Sequence, residues 1–176
     1  MTNYAVALTF PREVKQEIIE LQVEYKKYVA YSIEPHITLK YPFTTEVDIA
    51  VINKRLKEVA GISTPFTLVL NGIQYFEGEN NVAYIAIETK EPVINLHDSI
   101  VHSLEDLDKE ESMEIFDLER FTPHATIGEQ IPQEVFPHIK KTLARINLRY
   151  EIEINSFTLF SAGADDIWKS IGVFKF

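Results

Sequence analysis

The sequence predicts an α+β fold of two similar lobes, each a small, mostly antiparallel sheet backed by two helices, with a cleft between them. Three observations lead there. Strand-like and helix-like segments alternate along the chain, and the segments between strands are long enough to suit α+β packing. Eleven Phe and eight Tyr among 176 residues favour strands and an aromatic core. The order of segments also recurs. PHITL (35–39) aligns with PHATI (123–127), and Glu46-Val47 then falls on Glu134-Val135 without a gap. Further on, FTLVLNGIQYF (66–76) aligns with YEIEINSFTLF (150–160), so that Leu68, Leu70, Asn71 and Phe76 meet Ile152, Ile154, Asn155 and Phe160. The recurrence reads as an internal duplication inside one domain spanning residues 1–176.

The elements follow in order. Residues 4–10 alternate and are rich in β-formers, which predicts a strand. Pro11 suits a first helical turn, and Val14, Ile18, Leu21 and Tyr25 recur at helical spacing behind it. A strand is expected over 32–43, and a helix over 46–60 that stops at Gly61. Residues 66–76 read as a strand bent at Asn71-Gly72, and EGENN (77–81) as a turn. Then come a strand (82–88), a helix (92–107), an acidic solvated loop (108–112), a strand (121–128), a helix (132–144) and a strand (148–160). A turn at Asp165 and Asp166 precedes a last strand over 168–176.

With 45% apolar and 25% charged residues, the composition is that of a soluble globular protein. The formal net charge of −10 argues against binding along a nucleic-acid duplex, where many Lys and Arg must meet phosphates. It leaves room for a small cleft holding one phosphate, because nearby groups set the local field. The absence of Cys excludes disulfides, thiol catalysis and Cys-ligated zinc. No apolar run approaches the roughly 20 residues of a membrane span. MTNYAVALTF has no basic segment followed by a long apolar one. A cytoplasmic protein without membrane contact is expected.

Strand side chains alternate between faces. His36 and Thr38 therefore share a face, with Lys40 next in line, while Ile37, Leu39 and Tyr41 turn the other way. His124 and Thr126 share a face in the second half, with Ala125 and Ile127 turned inward. One His-x-Thr is no more than the wet side of a strand. Two, in matching halves, put an imidazole and a hydroxyl on each side of a cleft. One His near neutral pKa takes a proton and the other, protonated, delivers one. The Thr hydroxyls hydrogen-bond the non-bridging oxygens of a phosphate. With no carboxylate in either motif, a two-His metal site fits poorly, and neither a P-loop nor a dinucleotide Gly fingerprint is present, so neither metal nor cofactor is expected. Trp168 reads either as a base-stacking residue at the rim or as core, and Lys40 as a phosphate contact or a solvated lysine. His97 and His102, five apart on one helix, read as surface or boundary residues, and His138 as exposed.

PHITL and PHATI resemble the paired His-x-Thr motifs of the 2H phosphoesterase superfamily, which includes bacterial 2′-5′ RNA ligases and 2′,3′-cyclic nucleotide phosphodiesterases. The resemblance extends over nearly the whole chain and includes the lead-in FTPHATIG (121–128). It implies that His36 and His124 are the acid–base pair and that Thr38 and Thr126 bind phosphate. It further implies a nucleotide or short RNA end as substrate, and no metal or nucleotide cofactor. RNA-ligase members often carry a basic residue just after the second motif. Gly128-Glu129 stand there in this chain, which points away from a long RNA. The expected activity is hydrolysis of a cyclic phosphate or a 2′-5′ phosphodiester, ligation being the same chemistry reversed. The alternative is a module that binds a nucleotide or RNA end without turning it over.

Overall fold

The computed structural model describes residues 2–24, 33–107, 121–164 and 167–176. The expected acidic loop (108–112), the turn at Asp165-Asp166 and the far end of the first helix lie outside the described residues. The order is β1 (Asn3–Thr9), α1 (Arg12–Glu24), β2 (His36–Thr44), α2 (Ile49–Ile62), β3 (Phe66–Phe76), β4 (Asn81–Ile87), α3 (Lys90–Leu104), β5 (His124–Ile131), α4 (Phe136–Leu143), β6 (Arg149–Ile154), β7 (Ser156–Ala162) and β8 (Trp168–Lys175). A short 3-10 turn, Glu105–Leu107, extends α3. The fold class is the α+β arrangement expected. Boundaries move by a few residues: β2 starts at His36 and β5 at His124, so each motif His is the first residue of its strand. The long strand expected over 148–160 is interrupted at Asn155. The bend at Asn71-Gly72 is real. Gly72 takes φ +71°, a conformation that costs glycine nothing, and the pairing of β3 with β4 shifts register there.

All eight strands join one antiparallel sheet in the order β6-β3-β4-β5-β2-β1-β7-β8. The sequence halves do not each form their own lobe. β3, from the first half, pairs with β4 and β6, and β7, from the second, pairs with β1. The chain passes from β6 to β7 through Asn155 alone, although six strand spacings, about 29 Å when flat, separate them in the sheet. Two residues span about 7 Å at most, so the sheet is rolled until its ends approach.

The duplication is written into the register. β1 pairs with β2 as Tyr4↔Phe43, Val6↔Lys40, Ala7↔Thr38, Leu8↔Ile37 and Thr9↔His36. β4 pairs with β5 as Asn81↔Ile131, Ala83↔Gly128, Tyr84↔Thr126, Ile85↔Ala125 and Ala86↔His124. The two ladders match step for step, including both irregularities. The motif strands meet each other at Ile37↔Ala125, which are equivalent residues of the two motifs. Equivalent residues facing each other across an antiparallel pair place a local two-fold relation between the motifs.

Ile37, Leu39, Ala125 and Ile127 point into the core, together with Ile18 of α1, Ile52 and Leu56 of α2, Ile100 of α3 and Leu143 of α4. The helices thus cover the face opposite the His-x-Thr side chains. They do so crosswise: α1 packs on β5 and α3 on β2. Asp48 caps α2, its carboxylate accepting the amide of Ala50 at 2.7 Å. Among the described residues, no helix is long and apolar enough to cross a membrane.

Candidate active site

A cleft of about 380 Å³ opens on the sheet face away from the helices, and His36, Thr38, His124 and Thr126 all line it. Alternation along two strands that touch at Ile37↔Ala125 is what brings them together. The walls are largely apolar, with Ala5 and Ala7 of β1, Val82 of β4 and Phe76 of β3.

Each imidazole is tied the same way. His36 Nδ1 lies 2.9 Å from the carbonyl oxygen of Glu34, and His124 Nδ1 lies 2.8 Å from that of Thr122. A carbonyl only accepts, so each Nδ1 carries the proton and donates it two residues back along the chain. Among the described residues, neither Nε2 has a hydrogen-bond partner. Burial lowers the pKa of both imidazoles below the ordinary histidine value. The hydrogen bond to Glu34 works against that shift at His36, while the charge of His124 lowers His36 further. The two rings are close enough to feel each other's charge. Among the described residues, His124 alone is boxed by aromatics: Phe76 and Tyr84 stack at 4.3 Å, and each meets His124 edge-on at 5.2 Å.

The bulges decide which residues accompany the motifs. β1 advances one residue, Val6 to Ala7, while β2 advances two, Lys40 to Thr38. The extra residue reverses the alternation beyond Thr38. Lys40 is therefore 3% exposed, outside the cleft lining, with its ammonium 5.5 Å from the centre of the Phe43 ring. The expectation that Lys40 shares the face of His36 and Thr38 is corrected. So is the expectation that Tyr41 faces away, since Tyr41 lines the cleft. The same bulge in β5 brings Glu129, the counterpart of Tyr41, into the lining, and Gln130 takes up the next irregularity at φ +51°. Trp168, at the start of β8, is half-buried and lines the cleft.

Strand parity misses Tyr41 and Glu129, and no local motif marks them. Their equivalence under the duplication, and a glycine at 128 inside the strand, are the signals the sequence offers. The expectation for His97 is corrected as well: it is wholly buried, whereas His102 and His138 are exposed. Among the described residues, no cluster of three or more His, Asp or Glu is arranged to hold a metal ion.

The chain resembles known proteins over nearly its full length. A protein of Geobacillus kaustophilus, provisionally named a phosphoesterase, is 27% identical over 170 residues, covering 90% of this chain and 93% of that one. Protein TT0787 of Thermus thermophilus superposes with a TM-score of 0.68 at 20% identity, covering 98% of this chain and 97% of that one. E. coli LigT, solved with 3′-AMP, superposes at 0.67 and 18% identity, covering 99% and 97%. These two share the fold. The family model described as the 2′-5′ RNA ligase superfamily matches residues 10–166, a span that holds both His-x-Thr motifs and every strand of the sheet but β1 and β8, and the chain belongs to that superfamily, the 2H phosphoesterases.

Proposed function

We propose that the cleft hydrolyses a cyclic phosphate or a 2′-5′ phosphodiester of a nucleotide or RNA end by two-histidine acid–base catalysis. The observation that carries this reading is the matched tethering of two facing imidazoles. Each Nδ1 is committed to a backbone carbonyl, so each ring has one free nitrogen and a fixed orientation beside a threonine hydroxyl. The nucleotide class draws support from LigT, which has been solved with 3′-AMP.

In the hydrolytic direction His36 is the base. Burial lowers both rings and a charge on His124 lowers His36 further, so the pair resists holding two protons at once, and we assign the neutral ring to His36. Its Nε2 takes a proton from water as the water oxygen bonds to phosphorus. The hydroxyls of Thr38 and Thr126 donate to the non-bridging oxygens as their charge builds. His124, protonated, gives its Nε2 proton to the leaving oxygen as the P–O bond breaks. A cyclic substrate then opens to a phosphomonoester. One ring ends protonated and the other neutral, and exchange with solvent resets them. Ligation runs the same steps backwards with the roles exchanged.

The test is a panel of 2′,3′-cyclic nucleotides, 2′-5′ oligoadenylates and cyclic dinucleotides, incubated with chelator present. His36→Ala and His124→Ala are each expected to cost about 10²–10⁴-fold in kcat on the best substrate. Thr38→Val and Thr126→Val are each expected to cost on the order of 10²-fold. A double His variant that turns over at the wild-type rate would overturn the assignment. Binding without product across the whole panel would make the protein a nucleotide-binding module instead.

A further inference from the structure

The motif strands β2 and β5 meet at one residue pair, Ile37↔Ala125, whereas β1 and β2 share a ladder of six pairs. Strand pairing by itself thus fixes the separation of the two motifs weakly. Two helix side chains reach the motif backbone where the ladder does not. His97, wholly buried on α3, has Nδ1 2.6 Å from the carbonyl oxygen of Leu39. That carbonyl belongs to the extra residue of the β2 bulge, directly after Thr38. Gln22, on α1, donates from Nε2 to the carbonyl oxygen of Thr126 at 2.8 Å. Each helix therefore braces the motif strand of the opposite half.

His97 does a second thing. Its ring lies flat on Phe121, with centroids 3.6 Å apart and planes 2° from parallel. Phe121 precedes Thr122, whose carbonyl holds Nδ1 of His124. One buried imidazole thus touches the bulge after the first motif and the lead-in to the second.

We infer that His97 and Gln22 are positioning residues that hold the two His-x-Thr motifs at their working separation, His97 through the Leu39 carbonyl and the Phe121 ring, and Gln22 through the Thr126 carbonyl. Neither lines the cleft. The Leu39 carbonyl accepts, so His97 must donate from Nδ1. Losing that donor frees the bulge that aims Thr38 into the cleft, and a displacement of 1 Å at a catalytic group is enough to cost on the order of 10²-fold. The inference rests on the proposed use of the cleft.

The test uses His97→Phe, which keeps a ring against Phe121 but removes the donor, and His97→Asn, whose amide nitrogen can replace Nδ1. Gln22→Met removes the other brace at a half-buried site. The probe is inorganic phosphate, titrated while imidazole ¹⁵N signals of His36 and His124 are followed by NMR, with amide exchange read over residues 38–41 and 126–128. His97→Phe is expected to weaken phosphate binding about tenfold or more and to speed exchange at 38–41. His97→Asn is expected to bind within about threefold of wild type. Gln22→Met is expected to weaken binding and to speed exchange at 126–128, and it carries the test if His97→Phe does not fold. Wild-type affinity and exchange in folded His97→Phe, or in Gln22→Met where the former does not fold, would overturn the inference and leave the cleft reading intact. Loss of stability with unchanged affinity in the folded fraction would also overturn it. Wild-type protein whose two imidazoles ignore phosphate would overturn the cleft reading, and this inference with it.

Discussion

Replacing both motif histidines removes two groups whose protonation the fold disfavours, and the consequence for stability has a definite sign. Burial lowers the pKa of His36 and of His124 below the ordinary value of 6.5. Below about pH 6.5 the unfolded chain therefore binds protons that the native protein refuses, so native stability falls as pH falls. Each refused proton steepens that dependence by up to about 1.4 kcal/mol per pH unit, and two by up to about 2.7. The charge of one ring opposes charging of the other, so the native protein takes up the two protons in succession. Against a total stability of about 5–15 kcal/mol, a loss of this size is easily read. The perturbation is the double variant His36→Asn, His124→Asn, whose amides can still donate to the Glu34 and Thr122 carbonyls. Urea unfolding of both proteins at pH 7.5, 6.5 and 5.5 is the assay. Wild type is expected to lose stability over the lower step, and the double variant distinctly less. Three other histidines, and Asp106 and Glu88, whose carboxyls are held low by Arg55 and Arg149, are common to both proteins and cancel. Parallel curves would refute the reasoning, because they would mean that the cleft does not lower the pKa of its imidazoles. On the proposed roles the same lowering puts the acidic limb of the kcat/KM profile, set by His36, below pH 6.5 and draws the alkaline limb, set by His124, down with it.

Two further outcomes follow from the walls and the frame of the site. Tyr41→Ala and Trp168→Ala each remove an aromatic surface from the cleft. Each is expected to raise KM for a nucleoside substrate by about 10–100-fold with little change in kcat, and unchanged KM in both would remove base stacking from the account. Asn81, 2% exposed, donates to the Ile131 carbonyl at 3.0 Å and to Gln133 Oε1 at 2.9 Å, and accepts from the Gly78 amide at 3.2 Å. Asn81→Ala strands those partners and is expected to cost about 2–4 kcal/mol in urea unfolding, with activity per folded molecule retained. A loss under about 0.5 kcal/mol would show that water replaces the side chain freely.

What the sequence conveyed of this protein, and what it did not, divides along the physics of the strands. The pairing of PHITL with PHATI was legible because the duplication conserved spacing as well as residue type. Period-two alternation then turned His36, Thr38, His124 and Thr126 to one face, where the cleft lies. The same rule failed at Lys40 and Tyr41, because alternation holds only while a strand and its partner advance together. At Thr38 β2 gains a residue on β1, and at Thr126 β5 gains one on β4. Leu39 and Ile127 remain core residues with or without a bulge, and only Gly128, a glycine inside a strand, hints at one. The strand swap between halves was equally silent. Periodicity tells which face a strand buries but not which neighbour it chooses, so it places β3 with its own half although β3 pairs with β4. His97 is hidden in the sequence for a third reason. A histidine on a helix has no apolar signature, and its partner is a backbone carbonyl, which every residue owns. Local chemistry is thus readable from side-chain type, while the supports of that chemistry are main-chain groups placed by register. In a duplicated fold the remedy is comparison of the halves. Tyr41 and Glu129 occupy one position twice, with an aromatic wall on one side of a two-fold site and a carboxylate on the other. On the proposed chemistry, that asymmetry would let a substrate with unlike groups on its two ester oxygens enter in one orientation, as a pair of histidines with different roles requires.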